Sequence, residues 1–139
     1  IPYSNIYEIP IIGCIFTDNN DLLVKYDNQN DYICCNFITR NNSAYAIKIA
    51  GDSTGKFKKN DILVFSSYTD SLLTFEELTN KIILYKKYED NKSFRYAGIL
   101  QKVSKEMVYL TSMNEEKDIE INRNDIEIDS ILASSIHIE

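Results

Sequence analysis

The stretch Tyr45–Phe65, YAIKIAGDSTGKFKKNDILVF, decides how the rest of the chain is interpreted. Its first part alternates, with Tyr45, Ile47 and Ile49 at every second position, which is the periodicity of a β-strand. A Gly-Asp-Ser turn follows, then a basic segment and a second apolar run. Two short strands around a polar connection predict β-structure. Ser53, in the turn, is either a nucleophile held in the open or an ordinary turn residue.

Short runs rich in Ile, Val, Tyr and Phe recur on both sides of this stretch. Polar segments rich in Asn and Asp separate them and predict turns at 16–22 (FTDNNDL), 25–32 (KYDNQNDY) and 39–45 (TRNNSAY). Many short strands between turns predict a mainly β fold, with bent antiparallel sheets that form a partly open, barrel-like structure.

One segment departs from the strand pattern. In LTFEELT, Thr74 precedes Glu77 by three residues, which is the spacing of a capping box. A helical turn near Phe75 to Leu78 and a polar loop are both compatible with it. We therefore expect at most one or two short helical turns in the whole chain.

The bulk properties limit the classes of function. The chain has 139 residues, which predicts a single domain over 1–139. A net charge of −6 is unfavourable for binding nucleic-acid phosphates directly. No apolar run is long enough to span a membrane, and no signal peptide is visible. The three cysteines, Cys14, Cys34 and Cys35, form neither a disulfide framework nor a metal-binding spacing. We expect a cytoplasmic protein with no cofactor and no metal.

The residues present are compatible with few conventional catalytic sites. The single histidine, His137, lies two residues from the end in an alternating segment, where a strand-face residue is the simpler interpretation than a Ser-His-Asp site. No glycine-rich phosphate loop occurs. A nucleophilic Ser53 would therefore need a lysine base that burial keeps neutral.

The order of these segments resembles the C-terminal domain of LexA and the phage CI-type repressors, a family of self-cleaving serine peptidases. Tyr45–Phe65 is similar to the nucleophile segment of that family, and IPIIGCIF to its lead segment near the cleavage site. The other similar segments are NKIILYKKYEDNKSFRYAGILQKV (80–103), MVYLTSMNEE (107–116) and IDSILASSIHIE (128–139). The resemblance implies a LexA/signal-peptidase-type fold, with Ser53 as nucleophile and a catalytic lysine on the 80–103 hairpin.

Two departures from the family pattern affect that chemistry. Arg95 stands at the position of the lysine, and a guanidinium does not give up its proton in proteins. Lys92 is close in sequence, but alternation places it on the opposite strand face from Arg95 unless a bulge intervenes. The family cleaves a small Ala-Gly pair, whereas the matching pair here is Thr17-Asp18. We expect the domain not to cleave itself, so that Ser53 is a vestige.

The family's second property, dimerisation, needs no nucleophile. The resemblance places the interface on the closing segment, at Ile131, Leu132, Ala133 and Ile136, although these residues could equally be core. Strand alternation predicts that Leu132 and Ile136 share one face and that Ile131 and Ala133 share the other. The hypothesis is a homodimerising or higher-order oligomerising domain of a phage or prophage-type repressor. It would reach DNA only through an N-terminal domain absent from this chain, which the Ile1 start also suggests, and an antirepressor is a possible partner. The alternative is an active Ser-Lys autopeptidase with Ser53 as nucleophile and Lys92 as base.

Overall fold

A computed structural model describes residues 7–18, 21–35, 44–50, 57–67, 76–113 and 117–137. These ranges contain nine strands and two single-turn 3-10 helices, Glu76–Leu78 and Arg123–Asp125. The strands are β1 (Tyr7–Asp18), β2 (Asp21–Cys35), β3 (Ala44–Ile49), β4 (Ile62–Ser67), β5 (Ile82–Glu89), β6 (Lys92–Val103), β7 (Met107–Ser112), β8 (Asp118–Asn122) and β9 (Ile126–Ile136). The mainly β prediction is confirmed, and the helical turn expected near Phe75 to Leu78 is the first 3-10 helix.

All nine strands belong to one sheet in the order β2-β1-β3-β4-β9-β5-β6-β7-β8. Every neighbouring pair is antiparallel except β1 and β3, which run parallel, so the sheet is mixed rather than wholly antiparallel. The sheet bends until β2 meets β6 through the pair Leu23 and Tyr96, without closing into a barrel. The expectation of a bent, partly open structure is confirmed.

The two faces of the bent sheet bury different residues. Along β5, Leu84 faces one side, whereas Ile83 and Tyr85 face the other. The first side carries the cluster that we call core 1: Ile15, Ile47, Ile49, Phe57, Leu63, Phe65, Leu84, Ala97 and Met113. The second side carries core 2, around Tyr85 and Leu100, and core 3, around Ile62 and Val64. Both faces of the central strands are therefore buried.

The β5–β6 hairpin has its register fixed by its turn. Asp90 and Asn91 both have left-handed backbone, with φ of 50° and 64°. Two successive left-handed residues make a type I′ turn, whose twist matches that of the flanking strands, and Asn and Asp tolerate this conformation better than most residues. Glu89 therefore pairs with Lys92, and Lys86 pairs with Arg95.

Two sequence expectations are corrected by strand irregularities. The turn predicted at 25–32 lies within the single strand β2, whose register against β1 shifts between Ile11 and Gly13. Strict alternation in β9 would place Leu132 on the same face as Ile136. A bulge at Ala133 overturns this, because the extra residue reverses the alternation, so that Leu132 packs on core 1 and Ile136 on core 3.

Candidate functional site

Ser53, the predicted nucleophile, lies outside the described residues, but both flanks of its segment are described. The Ala50 N–H donates to the Ile15 carbonyl at 2.9 Å, which joins the end of β3 to β1. On the other side, Phe57 is buried in core 1 together with Ile49. The described residues nearest to 51–56 on each side that lie in a core, Ile49 and Phe57, therefore both belong to core 1.

The predicted cleavage pair, Thr17-Asp18, lies at the end of β1. Its backbone is extended and paired with β2, with Thr17 opposite Leu22 and Asp18 opposite Asp21. Ile15, which accepts the Ala50 N–H, precedes this pair by two residues. The parallel pairing of β1 and β3 thus brings the cleavage-pair strand beside the residue that begins the Ser53 segment.

Arg95 lies on the core 1 side of β6. It shares this side with Ala97, a core 1 residue two positions along the strand. Its Nε is 3.6 Å from Asp129 Oδ2 on β9, and the Arg95 side chain is 37% exposed. The position that the family resemblance assigns to a lysine therefore holds a guanidinium directed at a carboxylate.

Asp129 reaches Arg95 because it is a bulge residue. The β5–β9 register skips it, pairing Leu84 with Ser130 and Tyr85 with Ile128. A bulge redirects the side chain of its extra residue. Burial raises the pKa of the Asp129 carboxyl above its ordinary value, and the charges of Arg95 and Lys86 partly oppose that rise. The carboxyl is thus half-buried, and the two neighbouring cations favour the ionised form that burial disfavours.

Lys86 is a residue that the sequence analysis missed. It is the cross-strand partner of Arg95 and shares its face, and its side chain is only 20% exposed. Its Nζ is 4.0 Å from Glu127 Oε2 and 5.9 Å from the centre of the Tyr88 ring. Asp90-Asn91 is the sequence signal that could have identified Lys86. A two-residue turn at these positions fixes the β5–β6 register and so pairs Lys86 with Arg95.

Tyr88 completes this group, which we call the Arg95 network: Lys86, Tyr88, Arg95, Glu127 and Asp129. The Tyr88 hydroxyl donates to Glu127 Oε2 at 2.7 Å. That hydrogen bond, followed by burial and the Glu127 charge, raises the pKa of the Tyr88 phenol. The network thus pairs each of its cations with a carboxylate and holds a protonated phenol, an arrangement that suits ionic recognition more than proton abstraction.

Lys92, the alternative base, lies at the hairpin end of β6. It is exposed, and its side chain lies on the face opposite to Arg95. No bulge intervenes in this part of the β5–β6 register. Lys86, on β5 opposite Arg95, is in contrast on the face of Arg95 and core 1.

The four predicted interface residues lie on β9, which is central in the sheet. Leu132, Ile131 and Ile136 are half-buried and pack against cores 1, 2 and 3 respectively, whereas Ala133 is exposed at its bulge. β4 pairs with β9 as far as Ile136, but β5 pairs with it only as far as Ile131. Among the described strands, none covers the β5-side edge of residues 132–136.

A polar hollow of about 260 Å³ occurs elsewhere, between the β6–β7 turn and the end of β8. It is lined by Lys105, Glu106, Met107, Asn122, Arg123 and Asn124. None of the predicted site residues contributes to it, so this concave feature gives no support to the Ser53 chemistry.

Comparison with protein-family models, with curated proteins and with solved structures gives no match for this chain. In the described ranges, no three or more His, Cys, Asp and Glu residues are grouped so as to hold a metal ion. The helices found in those same ranges are too short and too polar to cross a membrane.

Proposed function

We propose that this chain is the C-terminal self-association domain of a phage or prophage-type transcriptional repressor with a LexA-like fold, acting in the cytoplasm without cleaving itself. It would form a homodimer or a higher homo-oligomer and reach DNA through an N-terminal domain. An antirepressor protein would bind it to release repression.

The open edge of β9 is the observation that carries this proposal. Residues 132–136 have hydrogen-bonding groups on the side that β5 leaves uncovered among the described strands. An uncovered strand segment is a template for pairing with another strand. A second copy of the chain offers the same segment, and two such segments related by two-fold symmetry pair antiparallel. Exposed Ala133 is small enough for close approach.

The chemistry of the Arg95 network supports the absence of self-cleavage. The guanidinium of Arg95 cannot accept the Ser53 proton, and it is directed at Asp129. The Thr17-Asp18 pair is also bulky and charged, so it fits poorly in a site that is shaped for small residues. Self-association depends on neither group, and so it is the function that these residues leave intact.

Sedimentation of the purified chain over a wide concentration range tests self-association. We expect a dimer, and we expect Ala133→Lys to shift it toward monomer by placing like charges on two facing copies. Asn124→Lys adds the same charge at an exposed position before the opposite end of β9 from residues 132–136, and it should leave the dimer intact. A strict monomer at high concentration, or a dimer indifferent to Ala133→Lys, would contradict the proposal.

Lys86 gives one specific reason to keep the autopeptidase alternative. Lys86 lies on the face of core 1, to which Ile49 and Phe57 on either side of 51–56 belong, although its ammonium is near Glu127. Incubation of the chain at alkaline pH, followed by mass spectrometry, separates the alternatives. We expect no cut near residues 13–19. A cut lost in both Ser53→Ala and Lys86→Ala would establish an active Ser-Lys site.

A further inference from the structure

The end of β9 is tied to the turn before β4 by one side-chain contact. His137 Nδ1 lies 2.6 Å from Asp61 Oδ1, at the register position that follows the Ile62–Ile136 pair. The Asp61 side chain is 7% exposed, whereas His137 is 50% exposed. A buried carboxylate therefore meets an imidazole that solvent can protonate.

Asp61 also holds both ends of the segment that contains Ser53. Its carbonyl accepts the Ile49 N–H at 2.9 Å, at the end of β3. Its Oδ2 accepts the Lys58 N–H at 2.8 Å, just after Phe57. One residue thus contacts the chain before 51–56, the chain after it and the end of β9.

The surrounding charges favour an ionised Asp61. The Lys58 N–H is the largest influence lowering the pKa of the Asp61 carboxyl, and His137 adds to it against the opposing effect of burial. The charges that act on this carboxyl are those of His137 and Lys58, and both lower its pKa. The carboxylates of β9, Glu127 and Asp129, lie toward the opposite end of that strand. These influences favour the ionised carboxylate, which can pair with a protonated imidazole.

We propose that His137 and Asp61 form a pH-dependent latch between the C-terminal end of β9 and the turn that anchors the Ser53 segment. When the imidazole is protonated, its hydrogen bond to the carboxylate is charge-assisted and roughly twice as strong as a neutral one. When pH rises and the imidazole becomes neutral, the latch weakens. The turn before β4 and the end of β9 are then held together mainly by the Ile62–Ile136 pair.

A second consequence rests on the proposed function. The latched residue directly follows the open edge at 132–136, so a change in the latch alters how rigidly that edge is presented to a second copy. A rigid edge loses less conformational entropy on pairing. Self-association should therefore be tighter on the acidic side of the imidazole titration.

The chain has a single histidine, so NMR can follow the latch directly. In a pH series, we expect the amide resonances of Lys58 and Ile49 to shift with the same midpoint as the His137 ring. His137→Gln keeps a hydrogen-bonding side chain but should abolish this coupled shift, and Asp61→Asn should do the same from the other partner. Glu120→Gln, which removes an exposed carboxylate on β8, should retain it.

The latch is overturned if the Lys58 and Ile49 amides ignore the ring titration, or if they follow the same midpoint in His137→Gln. Sedimentation over the same pH series then tests the second consequence separately. We expect the dimer dissociation constant to rise with pH in the native chain and to lose that dependence in His137→Gln. A chain that is monomeric throughout, yet shows the coupled amide shifts, would overturn the proposed function and keep the latch.

Discussion

The two halves of the β5–β6 hairpin share one register but have opposite environments. In the inner half, Leu84 pairs with Ala97, and both are buried in core 1. In the outer half, Lys86 pairs with Arg95, and both side chains remain partly exposed and paired with carboxylates of β9. A single turn thus determines the neighbours in both halves, whereas burial decides whether those neighbours stabilise the fold or form a charged surface.

Leu84→Ala removes a buried side chain from the inner half of the hairpin and should cause the largest loss of stability. The Leu84 side chain is 1% exposed, so truncation loses apolar burial and leaves a cavity. We expect the free energy of unfolding to fall by about 2 to 5 kcal/mol, measured by urea denaturation. Lys87→Ala, in the outer half, is the control. A loss below that of the control would show that core 1 repacks around the gap.

Asn91→Ala tests the turn that the two halves share. The φ of Asn91 is 64°, a conformation that alanine adopts at a cost of about 1 kcal/mol. We expect a stability loss of that size in the same denaturation assay. Asn91→Gly should be neutral or stabilising, because glycine accepts left-handed backbone freely. Equal losses in both variants would mean that the Asn side chain, and not its backbone conformation, matters.

Arg95→Gln tests the ion pair of the outer half. Burial already raises the pKa of Asp129, so the folded state holds a proton at a pH where the unfolded state has lost it. This carboxyl therefore lowers stability as pH rises through that window. Removal of the opposing Arg95 charge should raise the Asp129 pKa further and extend the window upward.

Carboxyl NMR measures that pKa directly, with Lys92→Gln on the opposite face as the control. At neutral pH the stability change should stay below about 1 kcal/mol, because the Arg95 side chain is more than a third exposed. An Asp129 pKa that does not rise would mean that the 3.6 Å contact has no electrostatic effect.

Glu127→Gln should have the smallest effect of these variants, which is a change in the pKa of the Tyr88 phenol. The hydrogen bond to Glu127 and the Glu127 charge help to raise the Tyr88 pKa, so their change should lower it. In the native chain, the stability that this raised pKa contributes is present below the ordinary tyrosine range and is lost as pH rises through the raised value. The chain has 10 tyrosines, so the titration needs residue-resolved NMR of the ring. Asp118→Asn is the control, and an unchanged Tyr88 titration in Glu127→Gln would contradict the assigned contact.

The sequence predicted those parts of the fold that depend on local pattern. Alternation in Tyr45–Ile49 marked β3, and the Thr74–Glu77 spacing marked a helical turn that is present at Glu76–Leu78. The register of the hairpin was also encoded, in Asp90-Asn91, although that signal was not used and Lys86 was missed. Ser53 as nucleophile and the four β9 residues as an interface stay predictions.

Long-range pairing limited what could be predicted of the candidate site. Arg95 was found by sequence, but its partner Asp129 lies more than thirty residues away and reaches it through a bulge. Bulges depend on how two strands fit together, and strict alternation in one strand gives no indication of them. For the same reason the faces of Leu132 and Ile136 were assigned wrongly relative to each other.

The sequence by itself determined that this chain is mainly β, with a strand at Tyr45–Ile49 and a helical turn near Glu76–Leu78, because each follows from the conformational preferences of neighbouring residues. Only the tertiary structure decided which strands pair, that Lys86 faces Arg95 beside Asp129, and that His137 meets Asp61 across 76 positions of sequence. Such contacts are established when the whole sheet buries its apolar faces. Their charged groups are then placed by the register of the sheet and not by their own preferences.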